Sequence, residues 1–338
     1  MFSNHLRPLA RRRLAAVAVA GAATLVLASC SSGDDDTTSA EAGDGFPVTI
    51  ANTFGETTID SKPERIVTLG WNAQDIVYAL GETPVGMPRY DYGADPNGVM
   101  PWLQDQFDPD ATTLLDAATS IPVEAVAGLA PDVILAPYEG FEEGVYDQLS
   151  TLAPTVAYPD KAWQTTWQDQ TTLVGEALGR SDDAAGLVEE LDRTLADTAA
   201  AHPEYQGKTI SVISLDEASS AAVYMPTDPR VQLLTEIGFE VSPGVQALAD
   251  SDTAGAFYRD ISLENLGDVD ADVVIVFLPE DRPLAEYPVL GALGATARGG
   301  VLGLADQRIV AGLSQTSVLA TPWVLDQLTP QLTAVAES

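Results

Sequence analysis

Arginine and aromatic residues recur in the segments that follow predicted strands. Arginine makes paired hydrogen bonds to carboxylates and other anionic oxygens, and it stacks on aromatic faces. In α/β sheets, ligands bind at the carboxyl ends of the strands, so side chains in these segments are candidates for ligand contact. The candidates come from both halves of the chain: Trp71, Arg89, Tyr90, Tyr92, Tyr138, Tyr224, Tyr258, Arg259 and Arg282. Such a set suits a ligand that carries negative charge.

The chain is poor in the side chains that bind bare transition metals. It contains one Cys and two His residues, whereas zinc or manganese would need several imidazoles or thiolates. We therefore expect no metal site of the protein's own and no internal disulfide. A Ser–His–Asp site would have to use His202, and no Gly-x-Ser-x-Gly motif is present. Paired carboxylates could occur anywhere among 50 acidic residues, so a secreted acidic hydrolase stays open as an alternative.

The net charge of the chain is strongly negative. The chain has 16 Lys and Arg residues and 50 Asp and Glu residues, so its net charge at pH 7 is −34. Four of the arginines and none of the acidic residues precede residue 30, so the remainder is more acidic still. A surface of this sign repels phosphate backbones, and we expect no nucleic-acid partner.

The first 29 residues have the pattern of a bacterial lipoprotein signal peptide. Residues 1–13 are basic, and residues 14–27 form an apolar run that is too short for a comfortable membrane span. The run ends in Leu-Ala-Ser-Cys, which resembles the lipobox whose cysteine is diacylated and becomes the first residue after cleavage. Two acyl chains on Cys30 would anchor the protein to the outer face of the cell membrane. Arg11-Arg12 leaves the Sec and Tat export routes both open.

Residues 30–45 are rich in Ser, Thr, Gly and Asp, and they predict a flexible tether. From residue 46 onward, short β-branched runs alternate with helical segments. The principal predicted strands are 65–69, 85–87, 133–137, 155–158, 209–215, 272–278 and 308–311. The principal predicted helices are 73–80, 123–129, 142–152, 228–237 and 318–335. This alternation predicts two α/β units with mostly parallel sheets.

A long helical stretch, residues 163–201, separates the two halves and is broken near Gly179. Its second piece has about 20 residues and would span about 30 Å, enough to run along two lobes. Trp163 and Trp167 are four residues apart, so we expect them to share one helix face.

Three segments resemble the substrate-binding lipoproteins of ABC importers for ferric siderophores, haem and vitamin B12. Residues 64–86, ERIVTLGWNAQDIVYALGETPVG, match the family's opening strand–helix–strand. Residues 121–136 match its segment of glutamate, helix, Pro-Asp and apolar strand. Residues 261–277 are similar to the equivalent segment of the second lobe, with Ala-Asp in place of Pro-Asp. The resemblance covers residues 46–336.

The resemblance implies a class III periplasmic-binding-protein fold. Two Rossmann-like α/β lobes, residues 46–180 and 203–338, would be joined by one long helix at residues 181–202. The implied function is capture of a ferric siderophore between the lobes and delivery to an ABC-type iron importer, with no enzymatic step. The iron would arrive as a chelate, so no cofactor is expected.

A haem ligand within the same importer class is an alternative ligand. Tyrosinate can ligate haem iron, and Tyr90, Tyr92, Tyr138 or Tyr258 would supply it. The sequence does not identify the siderophore or the permease.

The resemblance also implies a docking surface. In the family, one glutamate on each lobe pairs with arginines of the permease dimer, and the motif positions assign Glu124 and Glu264 to this role. Two charges at opposite ends of a two-lobed surface would fix its orientation on the permease. Each could instead be an ordinary acidic residue in the first turn of a helix. We expect the binding protein to be a monomer.

Overall fold

A computed structural model describes residues 45–215 and 220–338. The predicted signal peptide, Cys30 and the tether up to residue 44 lie outside these residues. Among the described residues, none of the helices has the length and hydrophobicity that a membrane crossing requires.

The first half of the described chain folds around a parallel sheet. A hairpin, β1 (Val48–Asn52) and β2 (Gly55–Ile59), precedes it. The sheet strands are β3 (Ile66–Thr68), β4 (Gly86–Pro88), β5 (Thr113–Leu115), β6 (Val133–Ala136) and β7 (Thr155–Ala157). Their order is β5-β4-β3-β6-β7, and neighbouring strands are parallel. The helices of this half are α1 (Ala73–Ala79), α2 (Val123–Gly128) and α3 (Glu143–Ser150). Because helices cover the sheet, its central strands are apolar runs buried on both faces.

Two helices follow, α4 (Trp167–Ala177) and α5 (Ser181–Ala201). Leu191 and Leu195 of α5 are buried in a hydrophobic cluster that also contains Val133 of the first sheet and Ile275 of the second. This shared cluster confirms a long helix between the two halves.

The second half contains a mixed sheet. Its strands, as far as residues 209–215 and 220–338 show, are β8 (Thr209–Leu215), β9 (Ser220–Tyr224), β10 (Glu240–Val241), β11 (Tyr258–Ser262), β12 (Val273–Phe277) and β13 (Val301–Leu304). The order is β11-β9-β8-β12-β13, with β10 also paired to β8. β8, β10, β12 and β13 are parallel, whereas β9 and β11 pair antiparallel. The helices are α6 (Pro229–Glu236), α7 (Pro243–Ser251), α8 (Gly294–Arg298), α9 (Gln307–Ser314) and α10 (Ala320–Ala336). Short 3₁₀ turns span Pro101–Leu103, Pro203–Tyr205, Leu263–Val269, Leu284–Glu286 and Pro288–Ala292.

The strand predicted at 308–311 is wrong, because these residues belong to α9. The Asp306 side chain accepts a hydrogen bond from the Arg308 backbone N–H at 3.0 Å, which caps the helix. A cap of this kind contributes about 1 kcal/mol to the helix, whereas the strand preference of Ile and Val depends on their surroundings. The strand of this region lies earlier, at β13.

The shared helix face predicted for Trp163 and Trp167 is also wrong. Thr166 caps α4 through a bond from the Asp169 backbone N–H, so the helix begins at Trp167. Trp163 lies before it with a φ of 62°, in the left-handed region. Its ring therefore packs elsewhere, 5.6 Å from the ring centre of Trp71.

Candidate ligand-binding site

A cavity of about 640 Å³ is lined by residues of both halves. From the first half it receives Trp71, Arg89, Tyr90 and Tyr92, which follow β3 and β4. The second half contributes Tyr224, Arg230, Phe277 and Ser314, among others. This volume falls in the range of small-molecule sites, which is about 300–1,000 Å³. We refer to it as the interlobe cavity.

The backbone around Gly70 positions the first-half residues. Gly70 has a φ of +72°, and a Cβ at this position would lie 2.3 Å from the carbonyl oxygen of Tyr138. Glycine is needed for this close approach, which lets the Trp71 backbone N–H donate to the same carbonyl at 3.0 Å. The Tyr90 hydroxyl donates to the Gly70 carbonyl at 2.9 Å, and burial raises the Tyr90 pKa. Arg89 forms an ion pair with Asp91 at the edge of the cavity.

Arg230 is the site residue that sequence reasoning missed. It lies in the first turn of α6, is 9% exposed and lines the cavity. Nη1 donates to Asp228 at 2.8 Å, and Nε donates to Ser314 at 2.9 Å. Its guanidinium carbon lies 4.2 Å from the ring centre of Tyr224. Within the described residues Nη2 has no hydrogen-bond partner, so it can donate to a ligand.

The electrostatics around Arg230 keep it charged. Burial alone would lower the pKa of its guanidinium, but the carboxylate of Asp228 raises it above its ordinary value. Burial raises the pKa of Asp228, and the neighbouring Arg230 works against that rise. The sequence carried a signal for the position of Arg230 at a helix start, but none for its contact with the cavity. Asp228-Pro229 is a helix cap followed by proline, which places residue 230 at a helix start.

Four other predicted residues occupy different places. Tyr138 is 3% exposed and lies behind the cavity wall, with its ring centre 6.3 Å from that of Trp71. Tyr258, which is 41% exposed, and Arg259 belong to β11 rather than to a loop after a strand. Arg259 donates to the Ser251 hydroxyl at 2.9 Å, so its side chain is bound to α7.

Arg282 lies over the ring of Tyr287, 4.6 Å from its centre, and pairs with Glu280. It lines a separate cavity of about 340 Å³. The structure therefore brings Trp71, Arg89, Tyr90, Tyr92 and Tyr224 to one cavity. It does not bring Arg259 or Arg282 to the same place.

The chain matches a family model over residues 66–285, and that model describes the periplasmic binding proteins. The protein belongs to this family. The "Probable siderophore-binding lipoprotein YfiY" of Bacillus subtilis is 28% identical over 75% of this chain and 76% of its own length. The structure of PiaA from Streptococcus pneumoniae in complex with ferrichrome has a TM-score of 0.78 and 29% identity, over 86% of this chain and 98% of PiaA. A periplasmic solute-binding protein from Mycobacterium smegmatis has a TM-score of 0.72 and 30% identity, over 87% and 100% of the two chains.

These comparisons confirm the predicted fold class, in which two α/β lobes form a periplasmic binding protein of class III. The family consists of binding proteins, and nothing in the comparisons supports the hydrolase alternative. The lobe boundaries at 180 and 203 stay a prediction.

A second cavity of this periplasmic binding protein, about 560 Å³, adjoins the first. Trp71, Arg89 and Tyr90 line both cavities. Glu139 and Trp163 are among the residues that line only the second. We call it the first-lobe compartment.

The two glutamates assigned to docking are both exposed. Glu124 lies in the first turn of α2, and Glu264 lies in the first turn of the 3₁₀ segment Leu263–Val269. Each lobe thus presents one of these carboxylates to solvent at the start of a helical segment.

Proposed function

We propose that this protein captures a ferric siderophore in the interlobe cavity and delivers it to an ABC-type iron importer. The observation that carries the proposal is Arg230, a buried and charged guanidinium that faces a cavity of ligand size. Its neighbour Tyr224 and the rings of Trp71 and Tyr90 add flat surfaces against which a chelate can pack. The relatives agree with this ligand class, since YfiY is named for siderophore binding and PiaA was solved with ferrichrome.

The iron in this proposal is cargo that arrives already chelated, so the protein needs no cofactor. The haem alternative has less support. Of its four candidate ligands, Tyr138 and Tyr258 do not line the interlobe cavity, and the Tyr90 hydroxyl already donates to the Gly70 carbonyl.

A fluorescence titration tests the function. The purified protein is titrated with ferrichrome, ferric enterobactin, ferric citrate and ferrioxamine B while tryptophan emission is followed. Trp71 lines the cavity, so a bound iron chelate should quench its emission at micromolar concentration or below. The iron-free siderophores serve as controls. Quenching by none of the four chelates would reject the proposal, and a Soret shift with haemin instead would favour haem.

We further propose that the protein is held at the outer face of the cell membrane by lipid on Cys30. The support is the signal-peptide pattern, because Cys30 is the single cysteine of the chain and falls at the lipobox position. A Cys30→Ser variant should move from the membrane fraction to the soluble fraction of the producing cells. Because an uncleaved signal peptide would also retain Cys30→Ser at the membrane, the deciding measurement is the mass of the wild-type protein from the membrane fraction. Absence of acyl mass on its Cys30 would contradict the anchor.

We also propose that the binding protein is a monomer. It docks onto a permease dimer through Glu124 and Glu264. The double variant Glu124→Ala/Glu264→Ala should lower iron uptake by about tenfold, because orientation on the permease is lost. Its siderophore affinity should stay unchanged, since both side chains are exposed. Glu189→Ala, an exposed glutamate on α5, is the matched control. Normal uptake by the double variant would rule out this docking surface.

A further inference from the structure

The first-lobe compartment has a different chemical character from the interlobe cavity. Arg230 gives the interlobe cavity a buried positive charge. The compartment is lined by two carboxylates, the exposed Glu142 and the half-buried Glu139, which lies in the segment after β6. Arg89 lies at the boundary between the two spaces, where it is paired with Asp91. A ligand that occupied both would meet opposite charges at its two ends.

The Glu139 carboxylate is not neutralised by the protein. Its Oε1 accepts a hydrogen bond from the Gly140 backbone N–H at 2.8 Å. Across residues 45–215 and 220–338, no Lys, Arg or His side chain forms an ion pair with it. Burial raises the pKa of Glu139, and the single hydrogen bond from the Gly140 backbone works against that rise. A cation placed beside it would offset the cost of burying its charge.

Two indole rings border the same compartment. Trp71 and Trp163 both line it, and their ring centres are 5.6 Å apart at an interplanar angle of 58°. The ring of Tyr138 stands at 82° to that of Trp163, also at 5.6 Å, and supports it from behind. Indole faces attract ammonium and guanidinium groups through their negative quadrupole.

The backbone holds Trp163 in this position. Its φ of 62° is uncommon for a bulky residue. Its indole Nε1 packs so closely on Gly140 that a Cβ there would lie 2.2 Å away. The ring is therefore fixed against the segment that carries Glu139, and the carboxylate and the two rings form one preorganised wall.

Resting on the proposed function, we propose that the first-lobe compartment binds a positively charged arm of the siderophore, an ammonium group, while the chelated iron lies in the interlobe cavity against Arg230. Glu139 supplies the counter-charge, and Trp71 and Trp163 supply the aromatic faces. The preferred ligands are then ferric siderophores that carry a primary amine outside the iron-binding groups.

A matched pair of chelates tests this proposal. Ferrioxamine B is a linear ferric trihydroxamate that ends in a primary amine, and its N-acetyl derivative has the same iron centre without the positive charge. The wild-type protein should bind the amine form about tenfold more tightly, which is the size expected of a desolvated cation–π and charge contact. Glu139→Gln should lose this preference while it keeps the affinity for the acetylated form.

The control variant is Glu143→Gln, an exposed glutamate in the first turn of α3 that does not line the compartment. It should keep the tenfold preference. Equal affinities of the wild-type protein for the two trihydroxamates would overturn the inference and leave the proposed function intact. Binding of ferrichrome, ferric enterobactin or ferric citrate without binding of either trihydroxamate would overturn it as well. If none of the chelates binds, the proposed function itself fails.

Discussion

Removal of Arg230 should weaken siderophore binding by at least about 30-fold, because truncating one partner of a buried charge pair between protein and ligand costs roughly 2–5 kcal/mol. Arg230→Ala would remove the nitrogen that is available to the ligand. It would also leave Asp228, which is fully buried, without its cation. The affinity is measured by the same tryptophan quenching titration.

Arg230→Ala could also lose affinity because it unfolds, so a second variant is needed to separate the two causes. Asp228→Asn/Arg230→Met removes both charges together and keeps similar side-chain volumes, which avoids an unpaired buried carboxylate. This double variant should melt near the wild-type temperature and still bind at least about 30-fold more weakly, because it lacks a charged donor for the ligand. Wild-type affinity in the folded double variant would show that Arg230 does not contact the ligand.

Arg259→Ala is the matched control for Arg230→Ala, because it also removes an arginine side chain but outside the interlobe cavity. Arg259 was a candidate from the sequence, but its side chain donates to Ser251 and to the carbonyl of Leu248. Its removal should leave siderophore affinity within about twofold of wild type, since a surface substitution away from the site has a small effect. An equal loss of affinity in Arg259→Ala and in Arg230→Ala would contradict the location of the site.

In the first lobe the strands are parallel, so the segments after neighbouring strands lie at the same edge of the sheet. Trp71 follows β3, and Arg89 follows β4, so both lie at the carboxyl edge as expected. Arg259 does not follow a strand, because it is the second residue of β11, an edge strand that pairs antiparallel with β9. Antiparallel pairing of β9 and β11 depends on tertiary contacts that a local pattern does not show.

The sequence predicted the buried strands of both lobes better than it predicted which side chains line the cavity. The apolar runs of β6 and β12 could be recognised from sequence, because strands buried on both faces are continuous in hydrophobicity. Arg230 could not be identified as a ligand contact from local sequence, since it is an ordinary residue of a helix start. It becomes part of the site because Tyr224 and Ser314, from other elements, surround it.

Asp75 of α1 is a fully buried carboxylate at the contact between the two lobes. It accepts hydrogen bonds from Gln74 Nε2 at 3.0 Å, Trp102 Nε1 at 2.8 Å and Ser317 Oγ at 2.5 Å. Ser317 lies between α9 and α10, so this bond joins the lobes. A second bond across the same contact runs from Asn72 Nδ2 to the carbonyl of Thr316 at 3.0 Å.

Burial raises the pKa of Asp75 from 3.8 to about 7, despite the three hydrogen bonds that lower it. Between these two values the folded protein holds a proton that the unfolded chain has lost. The free energy of unfolding should therefore decrease as pH rises from 4 to 7 and through the folded pKa. The stabilising contribution of this group is complete below pH 4 and absent above about pH 8.

Asp75→Asn should remove this pH dependence and make the protein more stable than wild type at pH 8. The gain is at most about 4 kcal/mol, from roughly three pKa units at 1.36 kcal/mol each. The new amide can donate to Gln74 Oε1, which is buried and has no hydrogen-bond partner within residues 45–215 and 220–338. Its own oxygen can still accept from Trp102 and Ser317. Urea unfolding of both proteins at pH 5 and pH 8 measures the difference.

The difference in unfolding free energy between wild type and Asp75→Asn, compared at the two pH values, reports the contribution of Asp75 alone. Repulsion among the many other carboxylates also changes with pH, but it is the same in both proteins and cancels in the difference. Asp75→Ala should destabilise the protein at both pH values, because Trp102 and Ser317 would lose their shared acceptor. Parallel stability profiles of wild type and Asp75→Asn between pH 5 and pH 8 would show that Asp75 is ionised throughout this range. The three hydrogen-bond donors around Asp75 would then stabilise its charge enough to offset the desolvation.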